Sequence, residues 1–124
     1  MAKILVIDDE TEVRQVIGRS LERNGHEVVE ALDGSEGVDL YKEKSFDIVI
    51  TDIFMPVKTG LEVIQELKAF DANVKIIVVS SVGIRDEIDM VSMSKRYGAI
   101  EAFEKPLDMD GLSRAIESIL EGNA

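Results

Sequence analysis

The chain reads as an α/β protein, a parallel β-sheet with helices on both faces. Two observations carry that reading. Short apolar runs alternate with helix-periodic segments from one end of the 124-residue chain to the other, without a linker, repeat or low-complexity stretch. The runs are also apolar at consecutive positions instead of every second one, the pattern of strands buried on both faces. Five such βα units with right-handed crossovers place helices on both sides of one sheet.

Each element has its own justification. Lys3–Ile7 is the first expected strand. Thr11–Asn24 follows as a helix with Val13, Val16, Ile17 and Leu21 on one stripe, closed by Asn24-Gly25 as a C-cap. His26–Ala31 is the second strand, and its histidine reads as a plain strand-start residue. Asp33-Gly34 makes a turn, and Ser35–Glu43 is a short helix starting at a serine cap. Asp47–Thr51 is the third strand, and Thr59–Phe70 a helix with Leu61, Ile64 and Leu67 inward. The remaining elements are a strand at Val74–Val79, a helix at Arg85–Tyr97, a strand at Ala99–Phe103 and a helix at Asp110–Leu120.

Composition narrows the function classes. The length fits a single domain, 1–124, with no output domain. No apolar run approaches the roughly 20 residues of a membrane span, and the absence of cysteine excludes disulfides and thiolate metal sites and fits a cytoplasmic protein. A net charge of −11 argues against nucleic acid as a direct ligand, because phosphates are repelled over most of the surface.

Chemistry concentrates where the strands end. In a parallel α/β sheet, ligands bind outside the carboxyl ends of the strands. Asp8 and Asp9 follow the first strand, Asp52 ends the third, Ser80 ends the fourth and Lys105 follows the fifth. Carboxylates about 4 Å apart repel by roughly 4 kcal/mol at an effective dielectric near 20. A crevice holding three of them calls for a divalent cation, and oxygen-only ligands favour Mg²⁺, Mn²⁺ or Ca²⁺. Asp52 can then attack phosphorus as a nucleophile, while Ser80 donates a hydrogen bond and Lys105 offsets charge on the transferred oxygens. Ser81 competes with Ser80 for the hydroxyl role.

Asp8-Asp9, Asp52-Ile53-Phe54-Met55-Pro56 with Gly60, Ser80 and Lys105-Pro106 together resemble the motif set of the two-component response-regulator receiver family, over essentially the whole chain. The resemblance implies a flavodoxin-like doubly wound sheet of five parallel strands in the order 2-1-3-4-5, an arrangement known for receivers. It implies Mg²⁺-dependent phosphorylation of Asp52 by a histidine kinase or histidine phosphotransfer protein, a switch and not a turnover enzyme. It also implies that the Phe54 backbone carbonyl is a metal ligand, that the Lys105-Pro106 peptide is cis, and that the partner docks on Val13, Val16 and Leu107. The downstream target is left open. Phe54 and Val82 fall where receivers flank the water that hydrolyses the phosphoryl group, and neither side chain can hold a water, so a long-lived phosphorylated state is expected.

Two departures stand out. The family usually has an aromatic residue three before the lysine; here that position is Ala102, and Phe103 follows on the opposite face. The stretch from Ser80 to Lys105 is also a few residues longer than usual. Two rival classes fit less well. A flavin carrier needs a hydroxyl- and glycine-rich phosphate loop after the first strand, where this chain has Asp8-Asp9-Glu10. An Asp-nucleophile phosphohydrolase needs a general acid two residues past Asp52, where Phe54 stands.

Overall fold

A computed structural model describes residues 2–80, 84–85, 88–104 and 108–122. The expectations for Ser81, Val82, Lys105, Leu107 and the Lys105-Pro106 peptide lie outside the described residues.

The elements in chain order are β1 (Lys3–Ile7), α1 (Thr11–Arg23), β2 (Glu27–Ala31), α2 (Gly34–Glu43), β3 (Ile48–Thr51), α3 (Gly60–Phe70), β4 (Ile76–Ser80), β5 (Ile84–Arg85), β6 (Ile88–Asp89), α4 (Met90–Tyr97), β7 (Glu101–Glu104) and α5 (Met109–Leu120). Five strands form one sheet in the order β2-β1-β3-β4-β7, every pair parallel. This is the expected 2-1-3-4-5 order, with β7 as the fifth strand of the sheet.

Side-chain alternation divides the interior into two cores. Leu5, Ile7, Val49, Ile76 and Val78 face α2 and α3, meeting Val38, Val63, Ile64 and Leu67. Ile4, Val6, Ile48, Ile50, Ile77 and Val79 face α1 and α5, meeting Ile17, Leu21, Leu112 and Ile116. Both faces of the central strands are therefore covered, which explains their unbroken apolar runs.

The helix ends follow local chemistry. After α1, His26 N–H donates to the Leu21 carbonyl at 3.1 Å and Gly25 N–H to the Glu22 carbonyl at 3.0 Å. Gly25 takes φ 90, so the expected Asn24-Gly25 stop is a Schellman cap. His26 is buried, and its Nδ1 accepts from Ala2 N–H at 3.1 Å. Helix α2 begins one residue earlier than expected, because the cap is Asp33 and not Ser35. Asp33 Oδ1 accepts from Glu36 N–H at 2.8 Å, the same cap bond that a serine hydroxyl would supply. At α3, Thr59 and Glu62 form a reciprocal capping box.

The fourth helix departs furthest from expectation. It begins at Met90 and not at Arg85, and the residues before it contain an antiparallel pair, with Ile84 opposite Asp89 and Arg85 opposite Ile88. Isoleucines four apart satisfy a helical period, but β-branched residues beside acidic ones suit a short hairpin equally well, and a run this brief does not distinguish the two.

Candidate functional site

The site is built from two strand ends. Past β1, Asp8 N–H still donates to the Ala31 carbonyl of β2 at 3.2 Å; past β3, Asp52 N–H donates to the Ile7 carbonyl at 3.1 Å. The ladder thus extends one residue beyond each strand and fixes both aspartates to the sheet edge, each only 2% exposed. Their carboxylates are oriented by main-chain donors. Asp8 Oδ1 accepts from Glu10 N–H at 2.8 Å, and Asp52 Oδ1 accepts from Ile53 N–H at 2.7 Å.

Carboxylate oxygens of Asp8, Asp52 and Glu10 lie within 4.8 Å of one another. Asp9, exposed, stands outside this group. The chain bends at Asp9, and the Glu10 N–H bond to the Asp8 carboxylate is an Asx turn, so Glu10 is folded back toward Asp8 before α1 begins. Although Glu10 occupies the cap position of α1, its side chain makes no cap hydrogen bond. The sequence shows the acid at this position but not that it turns toward Asp52. Three carboxylates this close match the oxygen-rich donor set of a hard divalent cation.

The loop after Asp52 is held tightly. Ile53 and Met55 are buried in the α2/α3 core, while Phe54 between them is 47% exposed. Gly60 N–H donates to the Ile53 carbonyl at 2.7 Å, and a Cβ at Gly60 would lie 2.2 Å from the Asp52 carbonyl oxygen. Only glycine allows α3 to start this close to the site. Val57, at the loop's outer turn, takes φ 72, a left-handed conformation that is a genuine outlier for a β-branched residue.

Ser80 is fully buried. Thr51 pairs with Val78 across β3 and β4, so Ser80 sits two residues further toward the same edge as Asp52. Ala102 packs against the α2/α3 core and Phe103 against the α1/α5 core, which places them on opposite faces as expected. Of the docking residues, Val16 is 57% exposed, whereas Val13 is half-buried against the α1/α5 core.

Arg14 was not singled out by its sequence context. It is nearly buried on α1, donating from Nη1 to the Asp8 carbonyl at 2.8 Å and from Nε to Glu30 Oε1 at 2.8 Å. An arginine amid an amphipathic helix reads as a surface charge, and only the fold reveals what it reaches.

The comparisons with known proteins agree with this arrangement. The chain is 38% identical over 119 residues to chemotaxis protein CheY of Bacillus subtilis (strain 168), covering 95% of this chain and 97% of the relative. It is 30% identical over 118 residues to sporulation initiation phosphotransferase F of the same organism, covering 95% and 93%. Among solved structures, a response regulator receiver domain protein from Clostridium thermocellum superposes with a TM-score of 0.89 at 35% identity, covering 98% of this chain and 95% of that one. TrrA of Thermotoga maritima, a response regulator in complex with Mg²⁺ and BeF, superposes with a TM-score of 0.84 at 30% identity, covering 96% and 99%. The family model described as the response regulator receiver domain matches residues 4–117. With that match spanning nearly its whole length, the chain belongs to the response regulator receiver domain family.

Proposed function

We propose that this receiver is switched by transfer of a phosphoryl group to the Asp52 carboxylate from a phosphohistidine of a histidine kinase or histidine phosphotransfer protein, with Mg²⁺ at the acidic site. The observation that carries this reading is the meeting of Asp8, Asp52 and Glu10 at the carboxyl ends of neighbouring buried strands. Asp8, Asp9, Asp52 and the Phe54 carbonyl are the proposed ligands, with Glu10 as the further acid of the loop. Bound there, a divalent cation offsets negative charge on the carboxylates and on the incoming phosphoryl oxygens. Mg²⁺ is favoured by the complex of TrrA with Mg²⁺ and BeF, and Mn²⁺ suits the same donor set.

Asp52 does the bond-making. An oxygen of its carboxylate forms the bond to phosphorus as the phosphorus–nitrogen bond breaks. The donor imidazole, protonated at its other nitrogen, keeps the electron pair and leaves neutral. The Ile53 N–H bond to Oδ1 fixes the carboxylate plane for in-line approach. Ser80 and Lys105 are assigned the hydrogen bond and the ion pair to the phosphoryl oxygens. The partner seats on α1, where exposed Val16 offers an apolar anchor beside Val13, and Leu107 is the third proposed contact. Among the described residues no helix is long and apolar enough to cross a membrane, and the proposed setting is the cytoplasm.

The test is incubation with acetyl phosphate and Mg²⁺ followed by intact mass. One phosphoryl adduct is expected on the wild type, and none on Asp52→Asn or in the presence of a chelator. An adduct persisting in Asp52→Asn would overturn the assignment. For the partner surface, Val16→Glu is expected to slow transfer from the kinase without lowering the melting temperature.

A further inference from the structure

We infer that the Arg14–Glu30 pair is a positioning device for the cation site, holding the acidic loop in register with β2; the inference rests on the function proposed above. The Asp8 peptide is tied to the end of β2 from both sides. Its N–H donates directly to the Ala31 carbonyl at 3.2 Å. Its carbonyl accepts from Arg14 Nη1 at 2.8 Å, and the same guanidinium donates from Nε to the carboxylate of Glu30, the residue before Ala31, at 2.8 Å. Asp8 is in turn the residue whose carboxylate accepts from Glu10 N–H. The clamp therefore holds the main chain of Asp8 itself, two residues before Glu10, the other acid that gathers with Asp52.

Charge and burial point to position over neutralisation. The Arg14 side chain is 8% exposed and that of Glu30 40%, so the guanidinium is drawn out of water. Such burial is costly unless each donor finds a partner. The pair is neutral as a unit, so Arg14 is not a spare cation brought in to balance the three acids. It adds geometry: a rigid planar fork joins a main-chain carbonyl on one loop to a carboxylate on the adjoining strand. Lysine carries the same charge but lacks the fork and is a poor replacement at a two-pronged site.

The experiment measures Mg²⁺ affinity of the intact chain by calorimetry, together with melting temperature without metal and the acetyl phosphate reaction at low and saturating Mg²⁺. Arg14→Lys and Arg14→Met are expected to raise the Mg²⁺ dissociation constant at least fivefold, and Glu30→Gln about threefold. Saturating Mg²⁺ should return the phosphorylation rate of Arg14→Lys to within twofold of wild type, and because Mg²⁺ would also rescue a weakened fold by mass action, the metal-free melting temperature, expected close to that of wild type, separates positioning from destabilisation. If Arg14→Met fails to fold, Arg14→Lys and Glu30→Gln decide the matter. Variants that fold and bind Mg²⁺ within twofold of wild type would overturn the inference and leave the proposed function standing. A wild type that does not bind Mg²⁺ would overturn both.

Discussion

A single backbone angle at Val57 shows how the phosphoacceptor loop is held. A β-branched residue at φ 72 costs about 1–2 kcal/mol, and the loop keeps it because Ile53 and Met55 are anchored on one side and Gly60 on the other. Val57 is 78% exposed, so its side chain contributes little packing in return. Val57→Gly should therefore raise stability by roughly 0.5–1 kcal/mol, strain relief outweighing the backbone entropy of glycine; thermal denaturation checks this. Phe54 is also exposed, and a role in the lifetime of the phosphorylated state is proposed for it. Phe54→Asn should speed hydrolysis by about ten- to a hundredfold, roughly 1.4–2.7 kcal/mol of barrier, followed as loss of the adduct by mass. Wild-type decay within seconds would contradict it. At this scale the sequence was partly legible. Asp8 and Asp52 declare themselves by ending apolar runs, whereas Glu10 and Arg14 acquire their roles from side-chain direction and from a contact to β2, neither of which a linear pattern encodes.

Among the elements, two glycines in helices make opposite demands. A Cβ at Gly60 would strike the Asp52 carbonyl oxygen at 2.2 Å and the Ile53 Cα at 2.7 Å, both main chain. Gly60→Ala should cost about 2–3 kcal/mol and slow phosphorylation by displacing the Asp52 loop. Gly18, inside α1, has nothing nearer than Glu30 Oε2 at 3.5 Å, an ordinary contact. Gly18→Ala should stabilise by about 0.5–1 kcal/mol through helix propensity, and urea unfolding of both variants tests the contrast. Most elements were readable because burial on both faces imposes continuous apolar runs and because caps carry their own chemistry, as at Asn24-Gly25 and Thr59. The Ile84–Asp89 region was not, since Ile84 and Ile88 satisfy a helix and a hairpin alike. Beyond it, Ala102 and Phe103 lie on opposite faces of β7, so the ring cannot serve from the position at which receivers usually carry an aromatic.

For the molecule as a whole, stability and pH are linked through a latch far from the acidic site. Tyr41 on α2 donates its hydroxyl to Asp71 Oδ2 at 2.7 Å, just past α3. Burial, and then the bond to Asp71, push the phenol above its ordinary range, while that same bond leads the causes that lower Asp71. The phenol's contribution is complete below the ordinary tyrosine pKa of about 10 and fades as pH rises from there through its folded value. The carboxylate's contribution is present above its unfolded pKa and fades as pH falls through the lowered one. Tyr41→Phe should therefore flatten the alkaline limb of the stability profile, measured by denaturation across pH.

The division of the interior bears on how this chain can change. Along β1, β3 and β4, neighbours in sequence belong to different compartments, Leu5 and Ile7 to one and Ile4 and Val6 to the other. The backbone ladder between them is a partition through which packing defects do not pass. A cavity opened beneath α5 cannot be filled by enlarging a residue beneath α3. Compensating substitutions should pair within a compartment, and a library that randomises one side at a time should keep far more folded members than one that mixes them. A lineage could thus remodel the α1/α5 layer, on whose outer side Val16 is exposed, while the layer behind Ile53 and Met55 stays fixed.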